Sequence, residues 1–436
     1  MKRLLCTPLL AAALAFAQQA RGPGPDQATR SAVQGSRSAN SQIEKLAHAS
    51  TDERIRGYEK LLQSAPDDSQ FQIGLVSAYL QKLRETSDPA YLDRASAIVS
   101  RMLEKDGGNF AALRFQNEID LQRHEFKAVA ERAGSMAKYN PSEAGNWGNL
   151  GDALMDLGEY EQAGKAYRRM LSLRPNLDSY NRLAYWRFVT GDGLGAIALM
   201  RSAVEAGDAV PENTAWCLAE LGDMYFKLGK VPEATSAYNR ALDLFPGLHR
   251  AYAGLGRVEA SLGHKENAIK QYERAQSIVP LVEYDAALED LYTAEGQKDR
   301  ALSEQELIDT VKNLCKIANE KTNRNLALVL ADHNRDLPLA LSLIEAEIPV
   351  RGDVYTYDAF SWVLLKNNRL PEAVAASAQA LKLGTPEPLF YYHASKIAAA
   401  AGNMAAARQY SEKLASLNPH FDFAKADIAL ASIRSE

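Results

Sequence analysis

The residue types that carry out most catalysis are present in this sequence, but their spacing forms no familiar catalytic or metal-binding pattern. The 7 histidines are scattered from His48 to His420, and no two have the His-Glu-x-x-His spacing of a zinc site. A Gly-x-Ser-x-Gly nucleophile elbow is also missing. Glu345 and Glu347 are two residues apart, and residues at this spacing on a helix do not face each other. We therefore predict that the protein is not an enzyme and uses no cofactor and no metal.

Two glycine-containing segments have the letters of binding motifs. Residues 191–195 read Gly-Asp-Gly-Leu-Gly, but they lack the Lys–Ser/Thr pair that binds phosphate. Residues 351–353 read Arg-Gly-Asp, the letters of an adhesion tripeptide, yet glycine and aspartate are also typical of turns. We interpret both segments as turns between helices.

Composition narrows the function classes further. The chain has 436 residues, of which 46% are hydrophobic and 24% charged, and its net charge is −5. A nucleic-acid binder needs an excess of positive charge to neutralise phosphates, so no nucleic-acid partner is expected. The content of glycine and proline, 27 and 17 residues, is ordinary for this length, which excludes a collagen-like or mainly disordered chain.

The first residues have the pattern of an export signal. Lys2 and Arg3 precede an apolar run over residues 4–17, which ends on the small-residue pattern Ala-Phe-Ala. This run is shorter than the roughly 20 residues of a spanning helix, so we predict a signal peptide at 1–17, and no membrane span after its cleavage. Retention of this segment as an anchor is the alternative. Residues 18–43 are poor in large apolar side chains and predict a flexible linker. The mature protein is then expected in the periplasm or cell envelope, or secreted.

A period of 34 residues runs through the rest of the chain, and it predicts paired helices. Pairs of identical residues 34 apart include Leu221 and Leu255, Gly222 and Gly256, Gly229 and Gly263, Tyr238 and Tyr272, and Pro246 and Pro280. In each unit one apolar stripe at helical spacing precedes the turn glycine and a second follows it. We interpret Gly222 and Ala234 as small because two helix backbones approach closely there. Such a pair cannot bury its apolar face alone, so the units must stack.

This pattern resembles the tetratricopeptide repeat (TPR) family over residues 44–421, most clearly at 144–177, 215–248, 249–282, 354–387 and 388–421. The resemblance implies an all-α, right-handed superhelical solenoid of about ten helix-turn-helix repeats. Residues 422–436 are expected to form a capping helix or tail. Cys217 and Cys315 fall in non-adjacent repeats, so no disulfide is expected between them.

In the TPR family one stripe of each first helix lines a concave groove that binds peptides or partner helices. Carrying that register over gives eight candidate groove residues here: Tyr185, Phe188, Asp223, Phe226, Arg257, Trp362, Tyr392 and Lys396. Exposed aromatic side chains are typical binding anchors. The hypothesis is an exported scaffold that binds one or more protein or peptide partners. Three alternatives stay open: a binder of an envelope polysaccharide, a membrane-anchored assembly subunit, and an enzyme whose site no motif reveals.

Overall fold

The computed structural model describes residues 43, 45–46, 49–208, 210–317 and 322–421. Within these ranges the chain forms helices and no strands. The predicted signal peptide at 1–17, nearly all of the linker at 18–43 and the capping helix at 422–436 lie outside the described residues. The helices are α1 (Thr51–Ser64), α2 (Ser69–Thr86), α3 (Ala90–Lys105), α4 (Phe110–Gln122), α5 (Phe126–Tyr139), α6 (Ala144–Asp156), α7 (Tyr160–Leu173), α8 (Leu177–Val189), α9 (Gly193–Ala206), α10 (Pro211–Lys227), α11 (Val231–Leu244), α12 (His249–Ser261), α13 (Lys265–Ile278), α14 (Val282–Ala294), α15 (Lys298–Ile317), α16 (Arg324–Asp332), α17 (Leu337–Glu347), α18 (Val354–Lys366), α19 (Leu370–Leu381), α20 (Pro388–Ala400) and α21 (Met404–Leu417).

Consecutive helices pair as antiparallel hairpins, and each hairpin packs on the next. From α2 to α21 the described chain contains ten such pairs, with α1 stacked before them. None of these helices is long and apolar enough to cross a bilayer. The predicted all-α solenoid of about ten repeats is confirmed.

The ends of the helices follow from local sequence. Asn109 accepts a hydrogen bond from the Ala112 N–H at the start of α4, which satisfies one of the amides that a helix leaves unpaired. Turn glycines end the first helices of the clear repeats with a left-handed backbone, as at Gly158 (φ +78°) and Gly263 (φ +81°). Pro232 lies in the first turn of α11, where a missing N–H is tolerated.

The small residues of the period make room for tyrosine rings. A Cβ atom added at Gly222 would lie 2.5 Å from Tyr238, and one added at Gly254 of the next hairpin would lie 2.4 Å from the same ring. Tyr238 is fully buried between the two glycines. We expected a second helix backbone to lie close to Gly222, and this is wrong, because an aromatic ring fills the space. The same contact repeats at Gly151, where an added Cβ would lie 2.3 Å from Tyr167.

The solenoid curves so far that its last repeats contact its middle repeats. We call this the turn-to-turn contact, and it joins residues 124–229 to residues 347–419. Three hydrogen bonds cross it: the Val354 N–H donates to the Tyr160 hydroxyl (2.8 Å), the Thr385 hydroxyl to the Val189 carbonyl (2.5 Å), and the Asn418 side-chain amide to the Phe226 carbonyl (2.7 Å). These bonds satisfy polar groups at helix ends that would otherwise be buried without partners.

Two ion pairs also cross the turn-to-turn contact. Arg351 lies 3.0 Å from the Asp156 carboxylate, and Lys227 lies 2.8 Å from the Glu387 carboxylate. An apolar cluster at the contact combines residues of α7 and α8, such as Tyr160 and Val189, with residues of the last repeats. The contact is therefore a packed interface, and it fixes the curvature of the solenoid.

Candidate partner-binding site

The inner face of the solenoid has a recurrent trio of tyrosine, aspartate and arginine. In one copy the Tyr167 hydroxyl donates to Asp152 (2.8 Å), and Arg182 from the next first helix donates to the same carboxylate (3.0 Å). Charge-assisted bonds of this kind are stronger than neutral ones. The trio therefore holds an aspartate in place and links neighbouring hairpins through it.

Two of the eight predicted groove residues, Asp223 and Arg257, belong to the second copy of this trio. The Tyr238 hydroxyl donates to Asp223 (2.6 Å), and so does Arg257 (2.5 Å). Burial by itself would raise the pKa of Asp223, but Arg257 and Arg250 outweigh it and hold this pKa below its usual value. Asp223 and Arg257 are thus neutralised by each other, and they join adjacent repeats.

Four of the predicted aromatic anchors are buried, so the expectation that they are exposed is wrong. Phe188, Phe226, Trp362 and Tyr392 have between 2% and 6% of their surface exposed. The physical reason is that cationic side chains and neighbouring rings cover them. Lys227 lies 5.4 Å from the Phe188 ring centroid, and Arg257 lies 5.5 Å from that of Phe226.

Trp362 and Tyr392 form one aromatic stack inside the last repeats. The Trp362 ring stacks on His393 at 4.3 Å between centroids, and its indole N–H donates to Asp332 (2.8 Å). The Tyr392 ring lies 5.9 Å from Trp362, and Lys396 lies 5.8 Å from the centre of the Tyr392 ring. The stack is part of the core in this region, so neither ring offers a surface to a partner.

Tyr185 and Lys396 remain accessible on the inner face. Tyr185 is 37% exposed. Partial burial of its hydroxyl, and then the negative charges of Tyr355 and Asp353, raise the pKa of this hydroxyl well above the usual value. Lys396 is half-buried, and burial lowers the pKa of its ammonium group. Tyr185 lies on α8 and Lys396 on α20.

A cavity on the inner face lies elsewhere, in the first half of the solenoid. We call it the five-helix pocket, because α2, α4, α6, α8 and α10 all contribute to its wall. Its volume is about 510 Å³. The wall combines apolar and charged side chains: Leu80, Leu83 and Arg84 from α2, Arg114, Phe115 and Glu118 from α4, Asn149 and Asp152 from α6, Asn181 and Arg182 from α8, and Glu212, Asn213 and Trp216 from α10.

Helices α2 and α10 close the five-helix pocket by touching across it. The Gln81 side-chain amide donates to Glu212 (2.7 Å), although the two residues are 131 positions apart in the chain. Arg84 adds an ion pair to the same carboxylate at 3.7 Å and reaches Asn213 at 3.5 Å. Glu212 is buried. The first five hairpins therefore curve into a ring around this cavity.

Glu118 is the most unusual side chain in the wall. It lines both the five-helix pocket and an adjoining cavity of about 150 Å³. Burial raises the pKa of Glu118, and the nearby Arg114, Arg182 and Arg84 only partly oppose this shift. A carboxylate of raised pKa in a cavity is a candidate functional group.

The register used for the predicted groove residues also reaches Arg114 and Glu118. These two residues lie 10 and 6 positions before His124, and Asn181 and Tyr185 lie 10 and 6 positions before Gly191. His124 has the positive φ of a turn glycine, +61°. The repeat at 109–142 has no glycine at this point, and that substitution concealed the pair.

The structure shows no arrangement for metal binding among the residues it describes. No group of three or more His, Cys, Asp or Glu side chains is suited to hold an ion in those ranges. Cys217 is buried in α10 and Cys315 is buried in α15, and no disulfide joins them, as predicted.

Comparison with known families agrees with the repeat pattern. Models described as tetratricopeptide repeat match residues 144–177, residues 175–247, and residues 219–295 together with 359–420. A search among curated protein sequences gives no match.

Several solved structures are similar to parts of this chain. The crystal structure of the APC/C hetero-tetramer Cut9-Hcn1 has 15% identity and a TM-score of 0.49, over 71% of this chain and 58% of that one. The crystal structure of MamA has 22% identity and a TM-score of 0.31, over 37% of this chain and 92% of that one. A thermophilic TPR protein of Thermus thermophilus has 19% identity and a TM-score of 0.35, over 38% of this chain and 91% of that one. This chain thus spans little more than half the length of the first of these proteins.

Proposed function

We propose that this chain, which belongs to the tetratricopeptide repeat family, is an exported scaffold that binds a partner protein through the five-helix pocket. The observation that carries the proposal is the closed ring of first helices around a cavity of about 510 Å³ with both polar and apolar walls. The family binds protein partners, and this cavity is the inner surface best suited to hold a peptide segment. Asp223 and Arg257 neutralise each other instead of facing a ligand.

The proposed location in the cell envelope rests on the first residues of the chain. The basic pair Lys2 and Arg3, the apolar run over 4–17 and its small-residue end support export. Mass spectrometry of the native protein tests this directly. A first residue at Gln18 is the expected result, and an intact N-terminus would favour the membrane-anchored alternative.

Site-specific photo-crosslinking in cells tests the binding site. A photoreactive residue at Asn181, in the pocket wall, is expected to form adducts with one protein partner, identified by mass spectrometry. The same residue at Gln162, on the exposed outer face of α7, is the matched control. Equal adducts at both positions, or none at Asn181, would contradict the proposed site.

The polysaccharide alternative loses its structural argument. It depended on aromatic side chains exposed in the groove to stack on sugars, and Trp362 and Tyr392 are buried. A glycan adduct at Asn181 in the crosslinking experiment would restore it.

A further inference from the structure

We propose that the five-helix pocket recognises a basic side chain, a lysine or arginine in an extended segment of the partner protein. This inference rests on the proposed function and adds the chemistry of the ligand. It is argued from the charge that remains in the pocket wall after the ion pairs within the wall are formed.

The arginines of the wall already have carboxylate partners. The three pairs are Arg84 with Glu212 at 3.7 Å, Arg114 with Glu143 at 3.4 Å and Arg182 with Asp152 at 3.0 Å. Asp178 also lies 4.0 Å from Arg182. Arg174 lines the adjoining cavity but is exposed to solvent, which screens its charge. These pairs offset the positive charge of the arginines in the wall.

Glu118 is the opposite case. Among the described residues, the Glu118 carboxylate forms no hydrogen bond and no ion pair within 4.0 Å. Glu118 keeps part of its surface exposed, but burial of the rest disfavours the ionised carboxylate and raises its pKa. A guanidinium or ammonium group in the cavity would remove this cost, whereas a second carboxylate would add like-charge repulsion. The wall therefore favours a cation.

The rest of the wall suits the apolar stem of such a side chain. Leu80, Leu83, Phe115 and Trp216 line the same cavity. Lysine and arginine bury their methylene stems against apolar surface while their charged ends find polar partners. A volume of about 510 Å³ holds a few residues of extended chain and excludes a folded domain. One basic side chain with its flanking backbone fits both the size and the chemistry.

Calorimetric titration of the full chain with short probes tests this inference. The probe is acetyl-Gly-Arg-Gly-amide, compared with the neutral isostere that carries citrulline and with acetyl-Gly-Glu-Gly-amide. Saturable binding of the arginine probe alone is expected. In Glu118→Gln, which keeps the shape of the side chain and removes its charge, the arginine probe should bind about tenfold more weakly. Glu266→Gln, on an exposed face away from the pocket, is the matched control and should bind as the wild type does.

Proton release gives a second readout that a merely structural role of Glu118 would not produce. The charged groups that act on Glu118 are Arg84, Arg114, Arg182 and Asp152. A bound cation lowers the pKa of Glu118, so binding below neutral pH should release protons. The binding enthalpy should then differ between buffers of different ionisation enthalpy, and Glu118→Gln should abolish the difference.

The outcomes separate this inference from the proposed function. Equal binding of the arginine and citrulline probes, or an unchanged affinity in a folded Glu118→Gln protein, would overturn the recognition of a cation. If protein adducts at Asn181 persist in that case, the scaffold function stands and only its chemistry is wrong. Preference for the glutamate probe would overturn the inference and assign the site to the arginines.

Discussion

Replacing a turn glycine by alanine can separate backbone strain from loss of the turn-to-turn contact. Gly158 and Gly263 occupy the same place in their repeats, with φ of +78° and +81°. A Cβ at Gly158 would lie 2.4 Å from the Gly352 carbonyl oxygen, whereas a Cβ at Gly263 would meet nothing within 4 Å. Gly158→Ala and Gly263→Ala therefore share the conformational cost, and only the first opens the contact.

The expected magnitudes follow from these two terms. A left-handed backbone costs an alanine about 1–2 kcal/mol, and this should be the whole effect of Gly263→Ala. Gly158→Ala adds about 1–3 kcal/mol, because Gly352 must move away and the nearby bond from the Val354 N–H to the Tyr160 hydroxyl is strained. Its total should be about 2–5 kcal/mol.

Urea denaturation measures the two losses, and amide hydrogen exchange locates them. Exchange at Val354 should accelerate in Gly158→Ala and stay unchanged in Gly263→Ala. Gly229→Ala provides an independent repeat of the test, since an added Cβ there would lie 2.9 Å from the Leu417 carbonyl oxygen. Equal losses in Gly158→Ala and Gly263→Ala, with the same exchange at Val354, would refute the turn-to-turn contact in solution.

Three further predictions concern side chains away from this contact. Burial, and then Arg250, lower the pKa of His249 from 6.5 to about 4, so the unfolded chain binds more protons between these values. The free energy of unfolding should therefore fall by up to about 3 kcal/mol as the pH drops through that window. Urea denaturation at a series of pH values measures this fall, and His249→Asn should remove it. Trp362→Ala should cost about 3–5 kcal/mol of unfolding free energy as a core truncation, while the arginine probe binds the folded variant unchanged. Burial raises the pKa of the Cys217 thiol, so a thiol reagent should label it only as fast as the protein unfolds, and rapid labelling of the native protein would contradict its burial.

The period of 34 residues was sufficient to predict the helices, because the spacing of small and aromatic residues is a local property of each repeat. It did not predict what fills the space beside Gly222, since two glycines from different hairpins enclose the Tyr238 ring. The groove register also did not predict exposure. Phe226 lies on the inner face, yet Arg257 of the next repeat covers it. Covering of this kind depends on which side chains the neighbouring repeat provides.

The five-helix pocket depends on the place where the period fails. The clear repeats at 144 and 215 start 71 residues apart, three more than two periods of 34. Helix α10 has 17 residues, where α6, α8 and α12 have 13. Its additional turn, at 211–214, contains Glu212, which accepts the hydrogen bond from Gln81 that closes the ring.

Helix α10 also joins the two long-range contacts of the solenoid. Its first turn holds Glu212 at the pocket, and its last residue, Lys227, pairs with Glu387 in the turn-to-turn contact. A stack in which each repeat contacts only its neighbours would accumulate small errors of rotation from one hairpin to the next. Here a single helix of 17 residues, about 25 Å long, is fixed at both ends by distant parts of the chain. The extra turn therefore closes the first five hairpins into a ring, and it does so by adding length to one helix and no new element.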